Sequence, residues 1–324
     1  MLIKLNLFKI NNCIVSGLVT SNSNLVTKVW KLGPSNSKLT HMIAIVDSGS
    51  TKSNWLFTGK KGEDFSIRTT GINPYYQTAE DIQDALQKEL VPNLPQMSLI
   101  TAVYFYGAGC ELPAQQAIVA KAVSPLFNDC IVHVDSDLIA AARSVLGDEA
   151  GICCISGTGS NTCYYDGHKI VRNINSLGLY MGDEGSGGFL GKLLARDYIR
   201  ESMPAEIRAR FEVFTADRKN DIMDKVYKKP FPNRYLASLA PFAILHKSET
   251  YINELIEENF RLLFDNCICR YENFTTLPVR FIGSIGLHLK DALEKVAAEK
   301  GIRVDKTIAD PMQGLKEYHL KHTV

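Results

Sequence analysis

Short apolar runs that end in small polar turns alternate with amphipathic stretches along most of this chain. The first predicted strands are Met42–Val46, Asn54–Phe57 and Ser66–Thr69. A helix is predicted over Ala79–Leu90, because Thr78 and Asp81 have the spacing of a capping box just ahead of an apolar periodicity. The chain from Met42 onward therefore begins as three strands followed by a helix.

The same order of elements returns further along the chain. Later predicted strands are Ala102–Tyr106, Ile131–Val134, Gly151–Ile155, Asn161–Tyr165, His168–Val171 and Val279–Ile282, and later predicted helices are 188–200, 235–246, 249–271 and one that ends near Lys300. A pattern of three strands separated by two turns occurs over 43–69 and again over 152–171. We expect an α/β protein with two similar halves, whose sheets are mixed because each half contains hairpins.

Composition places the chain among ordinary globular proteins. It has 324 residues, of which 45% are hydrophobic and 22% charged, and its formal net charge is +1. This is long enough for two domains. The basic residues form no cluster of the kind that nucleic-acid-binding proteins show, and no apolar run approaches the roughly 18 residues of a membrane span. We expect a cytoplasmic protein with no nucleic-acid and no membrane partner.

The eight cysteines have neither a metal-site spacing nor a CxxC pair. We interpret them as buried thiols in a reducing compartment.

Residues 1–41 differ from the rest, with five lysines, no acidic residue and many Ser and Asn. We expect them to be a disordered extension or an upstream mis-start, with the fold beginning near Met42. The expected domains are 42–140 and 141–310, with a C-terminal helix over 311–322 that packs back on the first domain.

Three glycine turns follow three apolar strands, at 47–52, 156–161 and 283–286. Turns without bulky side chains let backbone N–H groups approach phosphate oxygens, and Ser and Thr hydroxyls add further donors. Taken singly, each turn is also typical of an ordinary strand end. A P-loop is excluded because GxxxxGK[ST] is absent, and a Rossmann site because no GxGxxG follows a strand.

Two acidic positions at predicted strand ends are candidates for chemistry. Asp47 ends the first strand and could hold hydrated Mg²⁺, unless it only caps its own turn. Asp135 follows another strand and could take a proton from a sugar hydroxyl, unless it is only a helix N-cap. Asp137, two residues later, competes for that role.

The segment 181–188, Met-Gly-Asp-Glu-Gly-Ser-Gly-Gly, is the most unusual in the chain. Adjacent acids among four glycines, ahead of an apolar helix, suit carboxylates that bind hydroxyls and amides that meet a phosphate. The alternative is a flexible loop with acidic residues at a helix start.

Together these segments resemble a known family. The turns at 46–52, 156–161 and 282–286 look like the two phosphate motifs and the adenosine motif of the acetate kinase, sugar kinase, Hsp70 and actin superfamily. Gly-Thr-Gly-Ser-Asn followed by Met-Gly-Asp-Glu-Gly-Ser is similar to the BadF/BadG/BcrA/BcrD-type ATPase family, which includes N-acetylglucosamine kinases. The resemblance covers Met42 to about His319. It implies two ribonuclease H-like, actin-like ATPase domains with the active site in the cleft between them.

The resemblance also implies roles for individual residues. Asp47 would act on Mg²⁺ through water, and Asp135 would be the catalytic base. The implied phosphate contacts are Ser48, Gly49, Ser50, Thr51, Lys52, Gly157, Thr158, Gly159, Ser160 and Asn161. The implied adenosine contacts are Gly283, Ser284 and Gly286. The implied sugar contacts are Asn73, Gly107, Ala108, Gly109, Asp135 and Asp183.

The expected activity is ATP- and Mg²⁺-dependent phosphorylation of an amino sugar, with N-acetylglucosamine first, by a homodimer. Animal N-acetylglucosamine kinases have Gly-Trp-Gly-His before Met-Gly-Asp-Glu-Gly, where this chain has Leu-Gly-Leu-Tyr at 177–180. Leu177-Gly178 stands in place of the family's Trp-Gly, so that Leu177 replaces the sugar-side Trp. The alternatives are a non-catalytic nucleotide-binding regulator and an ATP-driven activator of a partner enzyme. Such activators hold a [4Fe–4S] cluster between subunits, and the positions of Cys153, Cys154, Cys267 and Cys269 do not support that role.

Overall fold

The computed structural model describes residues 6–10, 13–17, 42–49, 52–59, 64–94, 100–127 and 130–322. The chain divides into two compact units, Met1–Lys38 and Leu39–Val324. In the first unit, strands β1 (Asn6–Ile10) and β2 (Cys13–Gly17) form an antiparallel hairpin. The rest of residues 1–41, for which the sequence predicts an extension, lies outside the described residues.

The second unit contains two five-stranded sheets. The first consists of β3 (Met42–Ser48), β4 (Lys52–Gly59), β5 (Phe65–Thr70), β6 (Ile100–Gly107) and β7 (Ile131–Ser136). Its strand order is β5-β4-β3-β6-β7, with the first three strands antiparallel and the last three parallel. Strands β3, β6 and β7 therefore all end at the same edge of the sheet.

The second sheet repeats this topology. It consists of β8 (Gly151–Ser156), β9 (Ser160–Tyr165), β10 (Ile170–Ile174), β11 (Val279–Ile282) and β12 (Val304–Ile308). Its order is β10-β9-β8-β11-β12, again with an antiparallel meander followed by parallel strands. The repeat that the sequence predicts is confirmed, and the two halves have mixed sheets as expected.

Helices pack against both sheets. Their bounds are α1 Ala79–Glu89, α2 Pro113–Val123, α3 Asp137–Leu146, α4 Gly178–Met181, α5 Gly187–Ile199, α6 Ala205–Thr215, α7 Lys219–Tyr227, α8 Pro232–Ala237, α9 Ala240–Leu245, α10 Thr250–Asn266, α11 Ser284–His288, α12 Lys290–Glu299 and α13 Met312–His322. The predicted capping box is present, since Thr78 Oγ1 accepts from Asp81 N and Asp81 accepts from Thr78 N.

Three clusters of buried side chains stabilise this unit. One lies on the outer face of the first sheet and another beneath helices α5–α12. The third joins the two halves: it contains apolar residues of both sheets, most of α3, and Leu315 of the last helix. Helix α3 carries the predicted domain boundary at residue 140 and contacts strands of both sheets. Helix α13 contacts α3 and β3.

Some elements differ from the sequence prediction. The predicted helix 235–246 is two short helices, α8 and α9, because Pro241 cannot donate a backbone hydrogen bond to continue a single one. Strand β12 and helices α2, α6 and α7 were not predicted. Val304 is the one buried residue of strand β12, so this strand lacks the apolar signal of a central strand.

Candidate functional site

Asp47 lies near the end of β3, in register with Tyr106 of β6. Burial raises the pKa of its carboxyl to about 6, helped by the negative charges of Asp137 and Asp310 and opposed by Lys52. The charges of Asp137 and Asp310, which are far from Asp47 in the sequence, therefore act on its carboxyl in the folded chain. The sequence offered no signal for Asp310, which follows β12 at the edge of the other sheet.

The first glycine turn is partly inside the protein. Ser48 Oγ lies 2.6 Å from Ser53 Oγ and accepts a hydrogen bond from Ile72 N at 3.2 Å. Its hydroxyl therefore holds the turn in place. Gly49 and Lys52 are exposed, and Gly49 N donates to Lys52 O. Ser50 and Thr51 lie outside the described residues.

The predicted sugar-side residues of the first half do come together. Ala108 N donates to Ser48 O at 2.9 Å, which ties the loop after β6 to the first glycine turn. Gly109, with φ +81, lies against Asn73: a Cβ there would be 2.7 Å from Asn73 Oδ1. Asn73 Oδ1 also accepts from Tyr75 N, and Gln77 Oε1 accepts from Asn73 N. Gly107, at the end of β6, is buried beside them.

Asp135 lies on β7 in register with Tyr106, and the side chain of Arg143 meets it. Arg143 Nη1 is 3.5 Å from Asp135 Oδ2, and Ser136 N donates to Asp135 Oδ1 at 3.1 Å. Burial raises the pKa of Asp135, and Arg143 opposes that shift. The N-cap of α3 is Ser136, whose Oγ accepts from Ile139 N, so Asp135 does not cap this helix.

Asp137 is the first residue of α3, and its negative charge acts on Asp47. Burial raises the pKa of its carboxyl to about 6, with a further contribution from the charge of Glu111 in the loop after β6. None of the ion pairs among the described residues involves Asp137. Asp135 has such a partner in Arg143, so the two carboxylates differ in their charged neighbours.

The second glycine turn packs against the 182–188 loop. Gly187 N donates to Gly157 O at 2.8 Å, and Gly188 N donates to Thr158 O at 2.9 Å. Ser156 Oγ donates to Gly185 O at 2.6 Å. The turn, the loop and the start of α5 therefore form one hydrogen-bonded structure, with Thr158 exposed at its surface.

Two further predicted ligand contacts are Asp183, in the 182–188 loop, and Asn161, at the end of the second turn. Asp183 is buried with φ +64, and its Oδ1 lies 3.5 Å from Ser160 N, beside Gly159. Burial raises the pKa of its carboxyl. Asn161 Oδ1 accepts from Thr162 N and from Asn173 Nδ2, so that end of the side chain is bonded to the sheet.

Helix α10 supports the loop through a residue that sequence reasoning missed. Asn259 is fully buried; its Oδ1 accepts from Gly185 N at 2.7 Å, and its Nδ2 donates to Ser186 O at 3.2 Å. In the sequence, a polar Asn on the apolar face of the predicted amphipathic helix 249–271 is the signal that could have indicated Asn259.

The third glycine turn completes a pocket of about 410 Å³. Gly283, with φ +125, donates from its backbone N to Ile308 O, and it leaves no room for a Cβ against Ser156 O. The pocket is lined by residues of the second turn, the third turn and the start of α5, and by an apolar wall from α8 and α9. The lining residues are Gly157, Thr158, Gly187, Ala237, Ala240, Pro241, Ile244, Leu245, Ser284, Ile285 and His288. Gly286 packs beside Ser156 just behind it.

A larger cavity of about 550 Å³ lies on the other side of α5, between α7, α8 and α10. Its lining contains none of the glycine turns. The described residues contain no cluster of three or more His, Cys, Asp or Glu side chains that could hold a metal directly. Asp47 fits a Mg²⁺ ion that keeps most of its water, since Mg²⁺ needs few protein oxygens.

Comparisons with known proteins give the family. No family model matches the sequence, and no curated protein matches it. The crystal structure of a candidate N-acetylglucosamine kinase from Porphyromonas gingivalis is similar over 87% of this chain and 100% of its own, with 39% identity and a TM-score of 0.82. The chain belongs to the BadF/BadG/BcrA/BcrD-type ATPase family.

Two more distant structures share the fold of this BadF-type ATPase. A candidate N-acetylglucosamine kinase from Chromobacterium violaceum has 19% identity and a TM-score of 0.67, over 86% of this chain and 99% of its own. A ROK family glucokinase from Streptomyces griseus, in complex with glucose and AMPPNP, has 14% identity and a TM-score of 0.50, over 86% and 97%. The expectation of two actin-like domains is confirmed.

None of the described helices of the BadF-type ATPase is both long and apolar enough to cross a bilayer.

Proposed function

We propose that this protein transfers the γ-phosphoryl group of ATP to an amino sugar, with N-acetylglucosamine as substrate and N-acetylglucosamine 6-phosphate as product. The observation that carries the proposal is the presence of two sets of groups, one in each half, with the charge of Asp310 from the second half acting on Asp47 of the first. The glycine turns and the 410 Å³ pocket suit a nucleotide, and a second set of carboxylates and an amide lies at the ends of β3, β6 and β7. The Porphyromonas gingivalis relative is named as a candidate N-acetylglucosamine kinase, and this name supports N-acetylglucosamine as the proposed substrate.

The nucleotide is proposed to bind at the second and third turns. A pocket of this volume is in the range that small ligands occupy, and its apolar wall from α8 and α9 suits a purine ring. Thr158 is exposed in the second turn, which is hydrogen-bonded to the first turn of α5, and this position suits phosphate oxygens. Lys52, exposed at the start of β4, adds a positive charge near the first turn.

The sugar is proposed to bind between the loop after β6, Asn73 and Asp183. Asn73 and Asp183 would accept hydrogen bonds from sugar hydroxyls, as the family resemblance implies. Leu177 is exposed, at φ +61, in the segment that precedes Asp183. A side chain smaller than Trp there leaves more room on the sugar side than in the animal enzymes.

The catalytic base is proposed to be Asp135, as the family resemblance implies. Its side chain is 40% exposed near the end of β7, and Arg143 Nη1 approaches it only to 3.5 Å, so the carboxylate stays open to a sugar hydroxyl. Asp137 remains the competing candidate, and burial together with the charge of Glu111 disfavours its ionised form.

The reaction is then a direct displacement. Asp135 takes the proton of the sugar 6-hydroxyl while the hydroxyl oxygen forms a bond to the γ-phosphorus, and the bond from that phosphorus to the β,γ-bridging oxygen breaks to release ADP. Backbone amides of the turns stabilise charge on the transferred group, and positioning supplies most of the remaining rate. Mg²⁺ held through water by Asp47 would neutralise phosphate charge when it is bound.

A coupled ADP-release assay across a panel of amino sugars tests the proposal, with N-acetylglucosamine, N-acetylmannosamine, glucosamine and glucose as acceptors. We expect the highest kcat/KM for N-acetylglucosamine. Turnover that does not depend on any sugar would contradict the kinase assignment, and a higher kcat/KM for another amino sugar would change the substrate alone.

Three variants test these residue roles. Asp135→Asn should lower kcat by about 10²–10⁴-fold with little change in the sugar KM, because a base acts in the transition state. Asp183→Ala should raise the sugar KM strongly. Asp137→Asn separates the two candidate bases: if it costs more turnover than Asp135→Asn, then Asp137 is the base.

A further inference from the structure

The cavity of about 550 Å³, which we term the α5 cavity, has no role in the proposed reaction. It is lined by α5 from Phe189 to Arg200 and by residues of α7, α8 and α10. The start of the same helix, at Gly187, lines the nucleotide pocket. Apart from four charged residues, the lining of the α5 cavity is apolar. A cavity of this size, with apolar walls and few polar groups, has the properties of a small-molecule site.

Three of these four charged residues are cations on one face of α5. Lys192, Arg196 and Arg200 follow one another at intervals of four residues, so their side chains are neighbours along the helix. Like charges at this spacing destabilise a helix. The helix dipole favours the cations at the end of α5, Arg196 and Arg200, but not Lys192 in its middle. The helix by itself therefore does not account for the row of cations.

Nearby carboxylates neutralise only part of this charge. Arg196 Nε donates to Asp197 Oδ1 at 2.7 Å, while its Nη1 is 3.9 Å from Glu258 Oε1, the fourth charged residue of the lining. Lys192 and Arg200 form no ion pair among the described residues. The α5 cavity therefore combines an excess of positive charge with apolar walls, and this combination suits an anion that carries an apolar body.

Lys192 also connects the α5 cavity to the segment that precedes Asp183. Its Nζ donates to Leu179 O at 2.9 Å, and Leu179 belongs to α4. Asp183 N donates to Ser176 O at 2.9 Å, which closes residues 176–183 into one turn around α4. The ammonium therefore supports the turn that holds the proposed sugar ligand.

A second hydrogen bond joins α4 to the cavity wall. Tyr180 Oη donates to Val226 O at 3.0 Å, and Val226 lines the cavity on α7. Burial lowers the pKa of Lys192, so an anion beside its Nζ would favour the charged form. A ligand in the cavity would thus lie against both groups that hold α4 in place.

We propose that the α5 cavity is a regulatory site for a small anion with an apolar body, whose phosphate, carboxylate or sulfonate group binds Lys192, Arg196 and Arg200. The anion draws the ammonium of Lys192 away from Leu179 O, so that the turn carrying Asp183 loses a support. Occupation of the cavity therefore weakens sugar binding. This link to the sugar rests on the proposed function, and it deepens it by naming how that site is regulated.

Two fluorescent probes test the binding site in the full-length protein. Anilinonaphthalene sulfonate joins one sulfonate to an apolar aromatic body, and phenylnaphthylamine has the same body without the anion. Fluorescence titration gives the Kd of each probe. We expect Arg200→Met to raise the Kd of the sulfonate by about tenfold, because one charge-assisted contact is lost, and to change the Kd of phenylnaphthylamine by less than about threefold.

Arg303→Met is the matched control. Arg303 is an exposed arginine just before β12 and does not line the cavity, so its replacement removes the same charge from the protein as a whole. Both Kd values should equal those of the wild type. Met223→Trp tests the apolar wall: Met223 lines the cavity on α7 and is 43% exposed, so a larger side chain there should raise the Kd of both probes.

Steady-state kinetics tests the link to the sugar. Coupling between two sites is typically on the order of fivefold or more, and it is reciprocal. We expect saturating anilinonaphthalene sulfonate to raise the sugar KM of the wild type by about fivefold, and saturating N-acetylglucosamine to raise the Kd of the probe by the same factor. Lys192→Met already lacks the contact with Leu179 O, so its sugar KM should be higher without the probe and should respond little to it.

Equal sulfonate Kd values for Arg200→Met and Arg303→Met, or displacement of the probe by AMPPNP, would place the probe elsewhere and overturn the proposal. A sugar KM of Lys192→Met that responds to the probe as the wild type does would overturn the link through Leu179. A wild-type dimer that becomes a monomer in Met223→Trp, by light scattering, would make this face an interface between copies instead. Failure of the proposed function is distinguishable, because the Kd comparisons need no turnover, whereas that failure leaves the wild type without sugar-dependent turnover.

Discussion

Asn259 holds the loop that carries Asp183: its Oδ1 accepts from Gly185 N at 2.7 Å, and its Nδ2 donates to Ser186 O at 3.2 Å. The contact joins residues 74 positions apart in the sequence. A single buried carboxamide thereby satisfies two backbone groups of a loop that is too rich in glycine to fix its own conformation.

Removing this carboxamide should loosen the loop. We expect Asn259→Ala to lower the free energy of unfolding by about 2–4 kcal/mol, because it leaves two buried backbone groups without partners and creates a small cavity. The sugar KM should rise as well, through Asp183. Denaturant unfolding and steady-state kinetics measure the two effects.

Asn266→Ala is the control for Asn259→Ala on the same helix. Asn266 is exposed and donates to Glu184 Oε1 at 2.8 Å, so its removal should cost less than about 0.5 kcal/mol. Equal losses for the two variants would show that the buried contact has no special role.

Gly283 joins the second and third turns, and we expect Gly283→Ala to weaken nucleotide binding. Its φ of +125 disfavours any side chain, and a Cβ would overlap the carbonyl oxygen of Ser156, which is backbone and cannot rotate away. The turns must then separate, so the ATP Kd should rise by tenfold or more, as measured by calorimetry. Gly301→Ala, at φ +69 with open space around it, should cost about 1 kcal/mol of stability and leave the ATP Kd unchanged.

His319 should make stability depend on pH. Burial, with the positive charges of Arg143, His322 and His133, lowers its pKa from 6.5 to about 3. The folded state therefore disfavours protonation, and the stabilisation is complete above pH 6.5 and is lost progressively as the pH falls toward 3. From pH 8 to pH 5 the loss should be about 2 kcal/mol, at roughly 1.4 kcal/mol per unit.

Unfolding free energies of His319→Gln at the same pH values isolate this contribution. The variant should lack about 2 kcal/mol of the pH dependence of the wild type, whereas His168→Gln, at the exposed hairpin turn, should keep all of it. A wild-type curve that parallels the His319→Gln curve would mean that the imidazole is protonated without cost.

Asp47 should serve Mg²⁺ binding and not folding. Burial and the charges of Asp137 and Asp310 disfavour its ionised form, so Asp47→Asn should fold with unchanged or higher stability. Loss of the negative charge should raise the Mg²⁺ concentration for half-maximal turnover by about tenfold or more.

Asp64→Asn is the control for this metal dependence. Asp64 forms a surface ion pair with Lys316, so its replacement should leave the Mg²⁺ requirement unaltered. An unchanged Mg²⁺ dependence in Asp47→Asn as well would mean that Asp47 only completes its turn.

The amino-acid sequence determined the elements and the repeat. Apolar runs that end in Ser, Thr and Gly located β3, β8 and β11, and the spacing of Thr78 and Asp81 located the start of α1. These signals are local, since they depend on the period of side-chain burial and on backbone conformations that few residues adopt. The motifs at the strand ends were therefore sufficient to indicate the family.

Only the tertiary structure decided which polar side chain faces which partner. Only Ser136 separates Asp135 from Asp137, yet Arg143 and Glu111 give their carboxylates different surroundings. Ser48 belongs to a phosphate-like motif, but its hydroxyl bonds to β4 and to Ile72. Such assignments depend on strand register and on contacts between residues far apart in the sequence, and a local pattern contains neither.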